Sequence, residues 1–242
     1  MNKEIMEKRK RYAIIDYRMD NPTRKSLLDE GFILIDSFKN NNVYNAINGH
    51  VDISLFYNGE IFVASKESYN YYYNALSMYN IDKKIISGNT YLNSKYPKDV
   101  RYNLCFSGKY SIGNFNYIDE KVIEVVEEYE KINVKQGYSN CSILAVDKKS
   151  FITSDSGIYN TLKSNGIDVL KISEGNISLF GMNYGFIGGA SAVYGNKVYF
   201  FGNIKSHPDF KEILNFIDYR GKESIVLGDG ILKDYGSMYI VD

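Results

Sequence analysis

Two histidines, two cysteines and a scatter of carboxylates are what this 242-residue chain offers for proton transfer or covalent chemistry, so their spacing carries the functional reading. His50 and Asp52 stand two apart in Asn48-Gly-His-Val-Asp52. On a strand, residues at that spacing share a face. An imidazole that titrates near neutrality and a carboxylate would then point into one cavity, a pairing suited to moving a proton. Cys105 and Cys141 are the only thiols, and a thiolate is the nucleophile that such a pair could serve. Cys141 joins His50 and Asp52 as the candidate catalytic set, whereas Cys105 falls in a column of small residues expected to pack. His207 sits in Ser206-His-Pro-Asp209, which reads as a helix N-terminus capped by Ser206.

The elements that must position these groups repeat along the chain. Residues 190–194 and 197–201 are β-rich runs joined by Gly195-Asn196, a hairpin signal. Pro208 opens a helix whose Phe210, Ile213, Leu214 and Ile217 recur at helical spacing, and residues 224–227 follow as a strand. This β-β-α-β order recurs over residues 50–87, 100–135 and 138–172, the copy just described spanning 186–227. In the first of these, Tyr69, Tyr72, Tyr73 and Leu76 share a helix face and read as core. In the second, the helix is expected over residues 119–131 and the last strand over 133–135. A further unit is split across the ends, with strand, helix and strand in residues 12–36 and its missing strand in 237–241. The expected fold is α/β: a five-bladed α/β-propeller of ββαβ units in one domain over 1–242. Its ring closes by pairing of the terminal strands, leaving no free sheet edge at the junction.

The first strands align as Asp52-Ile-Ser54, Asn103-Leu-Cys105, Asn140-Cys-Ser142 and Gly189-Ala-Ser191. Asn103, Asn140 and Gly189 thereby share the level of Asp52 and become candidate ligand contacts. Longer connections at 37–49, 88–101, 173–188 and 228–236 fall on one face of the repeat, bringing Arg101, Asp229 and Asp234 to the same end. The glycine-rich run 181–189 matches neither a phosphate-loop nor a dinucleotide fingerprint, and its glycines let the backbone approach the axis.

Composition narrows the function classes. Lys+Arg and Asp+Glu both number 29, for a formal net charge of +0, which leaves no broad basic face for a nucleic-acid backbone. Two cysteines exclude a disulfide scaffold, and two histidines are too few for a His-built metal site, so neither metal nor cofactor is expected. No apolar run approaches the roughly 20 residues of a membrane span, and the polar stretch 1–12 lacks the apolar region of a secretory signal. A cytoplasmic protein with no nucleic-acid or membrane partner is the expectation.

The repeat, together with Gly49-His-Val-Asp52 followed by Ser54-Leu-Phe56 and Gly59-Glu-Ile-Phe-Val63, resembles the pentein superfamily. Penteins are five-bladed α/β-propellers that include agmatine and arginine deiminases, dimethylarginine hydrolases and amidinotransferases. The resemblance implies that His50 is a general acid/base and that Asp52 binds a guanidinium nitrogen. It also implies a nucleophilic cysteine in a glycine-rich segment near the C-terminus. That segment, residues 228–238, holds no cysteine; Ser237 near the position is a poor nucleophile without a dedicated base. A guanidinium or amine ligand would draw on Asp52 with Asp229 or Asp234. The expected function is binding of a small cationic ligand of this kind without deiminase turnover. One alternative is an active guanidino-group hydrolase using His50, Asp52 and a relocated cysteine; another is a non-catalytic protein-interaction module. A thiol within about 4 Å of the His50 ring discriminates between the first two.

Overall fold

The computed structural model describes residues 10–242; the expectation of no secretory signal rests in part on residues 1–9, which lie outside the described residues. The split unit comes first, with β1 (Arg11–Ile15), α1 (Asn21–Asp29) and β2 (Phe32–Asp36). Asp20 caps α1 by accepting from the Thr23 N–H, and Pro22 occupies its first turn, where a missing N–H costs nothing. The next unit has a single helical turn α2 (Val51–Ser54), then β3 (Leu55–Tyr57), β4 (Ile61–Ala64), α3 (Tyr69–Met78) and β5 (Lys84–Ser87). It is followed by β6 (Cys105–Phe106), β7 (Tyr110–Gly113), α4 (Glu120–Val125) and β8 (Glu130–Asn133). A second helical turn, α5 (Ser139–Ser142), opens the unit of β9 (Ile143–Ala145), β10 (Ser150–Thr153), α6 (Ser156–Ser164) and β11 (Asp168–Lys171). The last full unit holds β12 (Ser191–Tyr194), β13 (Lys197–Phe201), α7 (Phe210–Asp218) and β14 (Glu223–Leu227), and the chain ends on β15 (Tyr239–Val241).

These strands form five three-stranded sheets, each with one antiparallel and one parallel pairing around its central strand. The terminal strands do complete one another: β15 runs antiparallel to β1, with Tyr12 opposite Val241 and Ile14 opposite Tyr239. The apolar clusters join neighbouring units as well as the helix and sheet within each. Tyr12 and Val241 cluster with Leu55 and Tyr72, and Phe56 clusters with Leu104 and Val122. Cys105 clusters with Phe151, Ile152 with Phe200, and Phe201 in turn with Ile15 of β1. Each three-stranded sheet is too small to bury its own faces, so a neighbour supplies the second layer. Among the described residues no helix is long and apolar enough to cross a membrane.

Three local expectations are corrected. Asp52-Ile-Ser54 and Asn140-Cys-Ser142 are helical turns, not strand starts, so the shared-face argument for His50 and Asp52 does not apply. The reason is the ladder: antiparallel pairing begins only at Leu55 opposite Ala64 and at Ile143 opposite Thr153, and the unpaired backbone before it coils inward. In the third unit the helix ends at Val125 and the strand runs Glu130–Asn133 rather than 133–135, because parallel pairing with β7 sets Tyr110 opposite Glu130. Ser206 caps no α-helix; it ends a 3-10 turn (Ile204–Ser206), and the buried His207 accepts from the Asp209 N–H through Nδ1 at 3.1 Å.

Deleting residues 239–242 removes β15 and leaves β1 with an open edge over a shared core. The truncated protein should lose on the order of 3–5 kcal/mol, the upper range of local changes, in urea or thermal unfolding. Unfolding coincident with the full chain would show that the pairing is dispensable.

Candidate functional site

The inward-coiled turns bring together side chains that are distant in sequence. One polar atom each from His50, Asp52 and Cys141 lies within 4.8 Å of the other two, and all three residues are buried. The Cys141 thiol donates to Asp52 Oδ2 at 2.9 Å, and Asn140 Nδ2 donates to the same oxygen at 3.0 Å. Asn103, fully buried, fixes this geometry. Its Oδ1 accepts from the backbone N–H groups of Asn140 at 2.8 Å and Cys141 at 3.3 Å. Its Nδ2 donates to the Asp52 carbonyl and to Cys141 Sγ, both at 3.2 Å.

Asp234 closes the arrangement from the C-terminal segment. Its Oδ1 lies 3.8 Å from His50 Nδ1 and accepts from the Gly236 N–H at 2.9 Å, while Oδ2 accepts from the Phe186 N–H at 2.9 Å. Its two chain neighbours are anchored on Asp20, which takes Lys233 Nζ at 2.5 Å and the Tyr235 hydroxyl at 3.1 Å. Glycine is required at two contacts here: a Cβ on Gly189 would overlap the Asp234 carboxylate, and one on Gly236 would overlap the His50 side chain. A cavity of about 400 Å³ opens over His50, Cys141 and Asp234, walled by Tyr44, Tyr138 and the segment 179–186. The Tyr138 hydroxyl donates to Asp99 Oδ2 at 2.5 Å and shares a 2.8 Å hydrogen bond with Tyr44.

Desolvation dominates the electrostatics. Burial pushes the Asp52 carboxyl up to about 6, against the hydrogen bonds from Cys141, Asn140 and Asn103. Burial likewise raises Asp234, despite His50 and two N–H donors, and Asp52 adds to the rise. His50 is lowered by burial, although Asp234 and Asp16 oppose the shift, so its imidazole is neutral near pH 7. Cys141 is raised well above its ordinary value by burial, then by the carboxylates of Asp52 and Asp234, and is held as a thiol. Both ring nitrogens of His50 and Asp52 Oδ1 have no hydrogen-bond partner. Among the described residues no lysine or arginine pairs with Asp52 or Asp234; Arg18 is bound to Asp16, and Lys233 to Asp20.

Residues 14–239 match a family of unknown function, DUF6873. The chain belongs to this family. No curated protein sequence matches it significantly. Solved structures match this DUF6873 chain over nearly its whole length. Agmatine deiminase of C. jejuni aligns with TM-score 0.54 and 9% identity, covering 90% of this chain and 87% of that one. A dimethylarginine dimethylaminohydrolase bearing an S-methyl-L-thiocitrulline adduct aligns with TM-score 0.55 and 9% identity over 90% and 92%. The saxitoxin-pathway amidinotransferase of Microseira wollei gives 0.51 and 9% over 88% and 76%. All are penteins, and this DUF6873 chain has their α/β fold.

Of the residues expected at the site, His50, Asp52, Asn103, Asn140, Cys141, Gly189 and Asp234 converge. Three do not. Arg101 turns away to donate to the Tyr117 carbonyl at 2.8 Å, and Asp229 is exposed at a loop tip. Ser237 donates to the Ser191 carbonyl at 2.9 Å and borders a separate cavity with Cys105 and Tyr239. Tyr44, Tyr138 and Asp99 were not expected at the site; Tyr44 and Asp99 lie in the long connections 37–49 and 88–101, and Tyr138 carried no sequence signal.

Two substitutions should move stability in opposite directions. Asn103→Ala removes four hydrogen bonds from a buried position and should destabilise the protein by about 3 kcal/mol. Asp52→Asn removes a carboxylate raised from 3.8 to about 6 by burial, so it should stabilise the ligand-free protein by up to about 3 kcal/mol above pH 6. The folded value lies above the unfolded one, so the penalty of the carboxylate builds as pH rises from 3.8 to 6. The gain should therefore vanish below pH 3.8. Urea denaturation at pH 3.5, 5 and 7.5 checks both signs.

Proposed function

We propose that this protein binds a small organic cation of the guanidinium, amidinium or amine class in the cavity over His50, Asp234 and Cys141, without deiminase turnover. One observation carries the reading: of two buried carboxylates, Asp234 lines the cavity and Asp52 is bonded to Cys141 of its wall, and among the described residues no lysine or arginine lies against either. A planar cation would supply the positive charge that both lack and a donor for the unpartnered Asp52 Oδ1, and charge-assisted hydrogen bonds are the strong ones. The unpartnered Asp52 Oδ1 and the one acceptor nitrogen of the neutral His50 ring are free to take such donors. The names of the fold relatives, which act on agmatine and dimethylarginine, point to the same ligand class.

The chain as a whole reads as a single domain, its five units standing in a closed five-bladed ring with this cavity at one mouth of the axis. The five apolar clusters, each shared by consecutive units and the last by β13 and β1, support that reading. Two free buried thiols fit a reducing, cytoplasmic setting.

A second reading, hydrolysis at the guanidino carbon, is favoured by the placement of Cys141 beside His50 and Asp52. Sγ would add to the amidine carbon while its proton passes to Asp52 or His50 and on to the departing amine. Against it stands the charge around the thiol: two carboxylates hold the proton on sulfur.

Thermal shift with agmatine, arginine and guanidinium, in the presence of a chelator, tests binding, with neutral urea as control. At a hundredfold excess over Kd, binding is worth about 2.7 kcal/mol, a rise in Tm of about 5–10 °C. Asp234→Asn should abolish the shift. No shift with any cation would overturn the reading. Release of ammonia or citrulline that Cys141→Ser abolishes and Cys105→Ser spares would replace it with the second.

A further inference from the structure

We propose that Cys141 Sγ, a ring nitrogen of His50 and a carboxylate oxygen of Asp52 form a three-ligand site for a thiophilic divalent cation, zinc foremost, with the fourth position open to the cavity. The three donor atoms already lie within 4.8 Å of one another. Donors around tetrahedral zinc, at bond lengths of about 2.0–2.3 Å, stand about 3.5 Å apart. The trio therefore needs an inward shift of about an ångström at most, while the 2.9 Å contact between Cys141 and Asp52 opens as the thiol proton leaves.

Two further observations point to a cation at this place. His50 is buried with both nitrogens unpartnered, and Asp52 Oδ1 is buried and unpartnered, a costly state that a metal bond would relieve. Two of the ligands are also held from behind by a hydrogen bond, and the third, His50, has a carboxylate close by. Asp234 lies 3.8 Å from His50 Nδ1, Asn140 Nδ2 donates to Asp52 Oδ2 at 3.0 Å, and Asn103 Nδ2 donates to Cys141 Sγ at 3.2 Å. Such outer partners fix the orientation of metal ligands. Thiolate, imidazole and carboxylate together select zinc, cobalt or copper over magnesium or calcium. The scarcity of histidine argued against a metal, but this donor set needs only one.

The organic cation of the preceding section and this metal would both draw on Asp52, so each excludes the other. The metal site does not depend on that earlier reading. Its test is titration of the chelator-treated protein with cobalt(II), followed by zinc(II) displacement. One equivalent should bind, with the d–d bands of a tetrahedral ion and a sulfur-to-cobalt charge-transfer band, and zinc should bleach both. Cys141→Ser should lose the charge-transfer band and weaken zinc binding by about 100-fold or more. Cys105→Ser, altered in an apolar cluster away from the site, should keep band and affinity. Absence of the charge-transfer band, or its survival in Cys141→Ser, would overturn the proposal. Because the organic-cation assay runs with chelator present, it can succeed or fail independently of these outcomes.

Discussion

Asn103 makes four hydrogen bonds from a position that water does not reach, and the rest of the site depends on them. They run to Asp52 in one unit and to Asn140 and Cys141 in another, while Asn103 itself belongs to the unit between. Three separate sheets are thereby fixed relative to one another at the point where their first strands begin. An amide suits this work because it offers two donors and an acceptor with two lone pairs in one plane. A carboxylate or an aliphatic residue would leave buried N–H groups or acceptors unmatched, at the full desolvation penalty of each.

Around that hub the chain holds more negative charge than it neutralises. The buried Asp16 is paired with Arg18 and Asp20 with Lys233, while the buried Asp99 and Asp119 are held by hydrogen bonds from Tyr138 and from Thr90 and the Lys121 N–H. Among the described residues Asp52 and Asp234 have no lysine or arginine partner either; Asp234 lines the cavity, and Asp52 is bonded to Cys141, which lines it too. Desolvation outweighs their hydrogen bonds, which is why both are shifted toward the neutral acid. An arrangement that destabilises the empty protein and is relieved by a bound cation has the character of a binding site rather than of a core.

The backbone makes room for this. Asp234 lies against Gly185 and Gly189, where a Cβ would overlap it, and the Gly189 carbonyl accepts from the N–H groups of both Tyr235 and Ser237. Asp20 then anchors Lys233 and Tyr235, so a helix cap in the first unit holds the orientation of a side chain near the other end of the sequence. The closure of β1 on β15 and the placement of Asp234 are thus linked through the same short segment.

The repeat was legible because its signals are local. Gly59, Gly108 and Gly195 mark hairpins, apolar residues mark helix faces, and an orphan strand at each end asks for a partner. His50 and Asp52 were legible as a pair, although for the wrong reason: a helical turn, not a strand face, brings them together. Nothing local could separate Asp234 from Asp229, which share one loop and one chemistry, and the alignment of first strands separated Cys141 from Cys105 only by placing Cys105 in the packing column. The choice is made by how the units meet: Asp234 is drawn in against two glycines while Asp229 stays in water, and Cys141 lies on the inward turn while Cys105 packs between sheets. Most elements and the inventory of reactive groups could be read locally, since propensity and pattern act over a few residues, but the turns at Val51–Ser54 and Ser139–Ser142 could not. Only the tertiary structure decided which groups share a cavity and which charges go unpaired, since both depend on contacts between residues as far apart as Asp52 and Cys141.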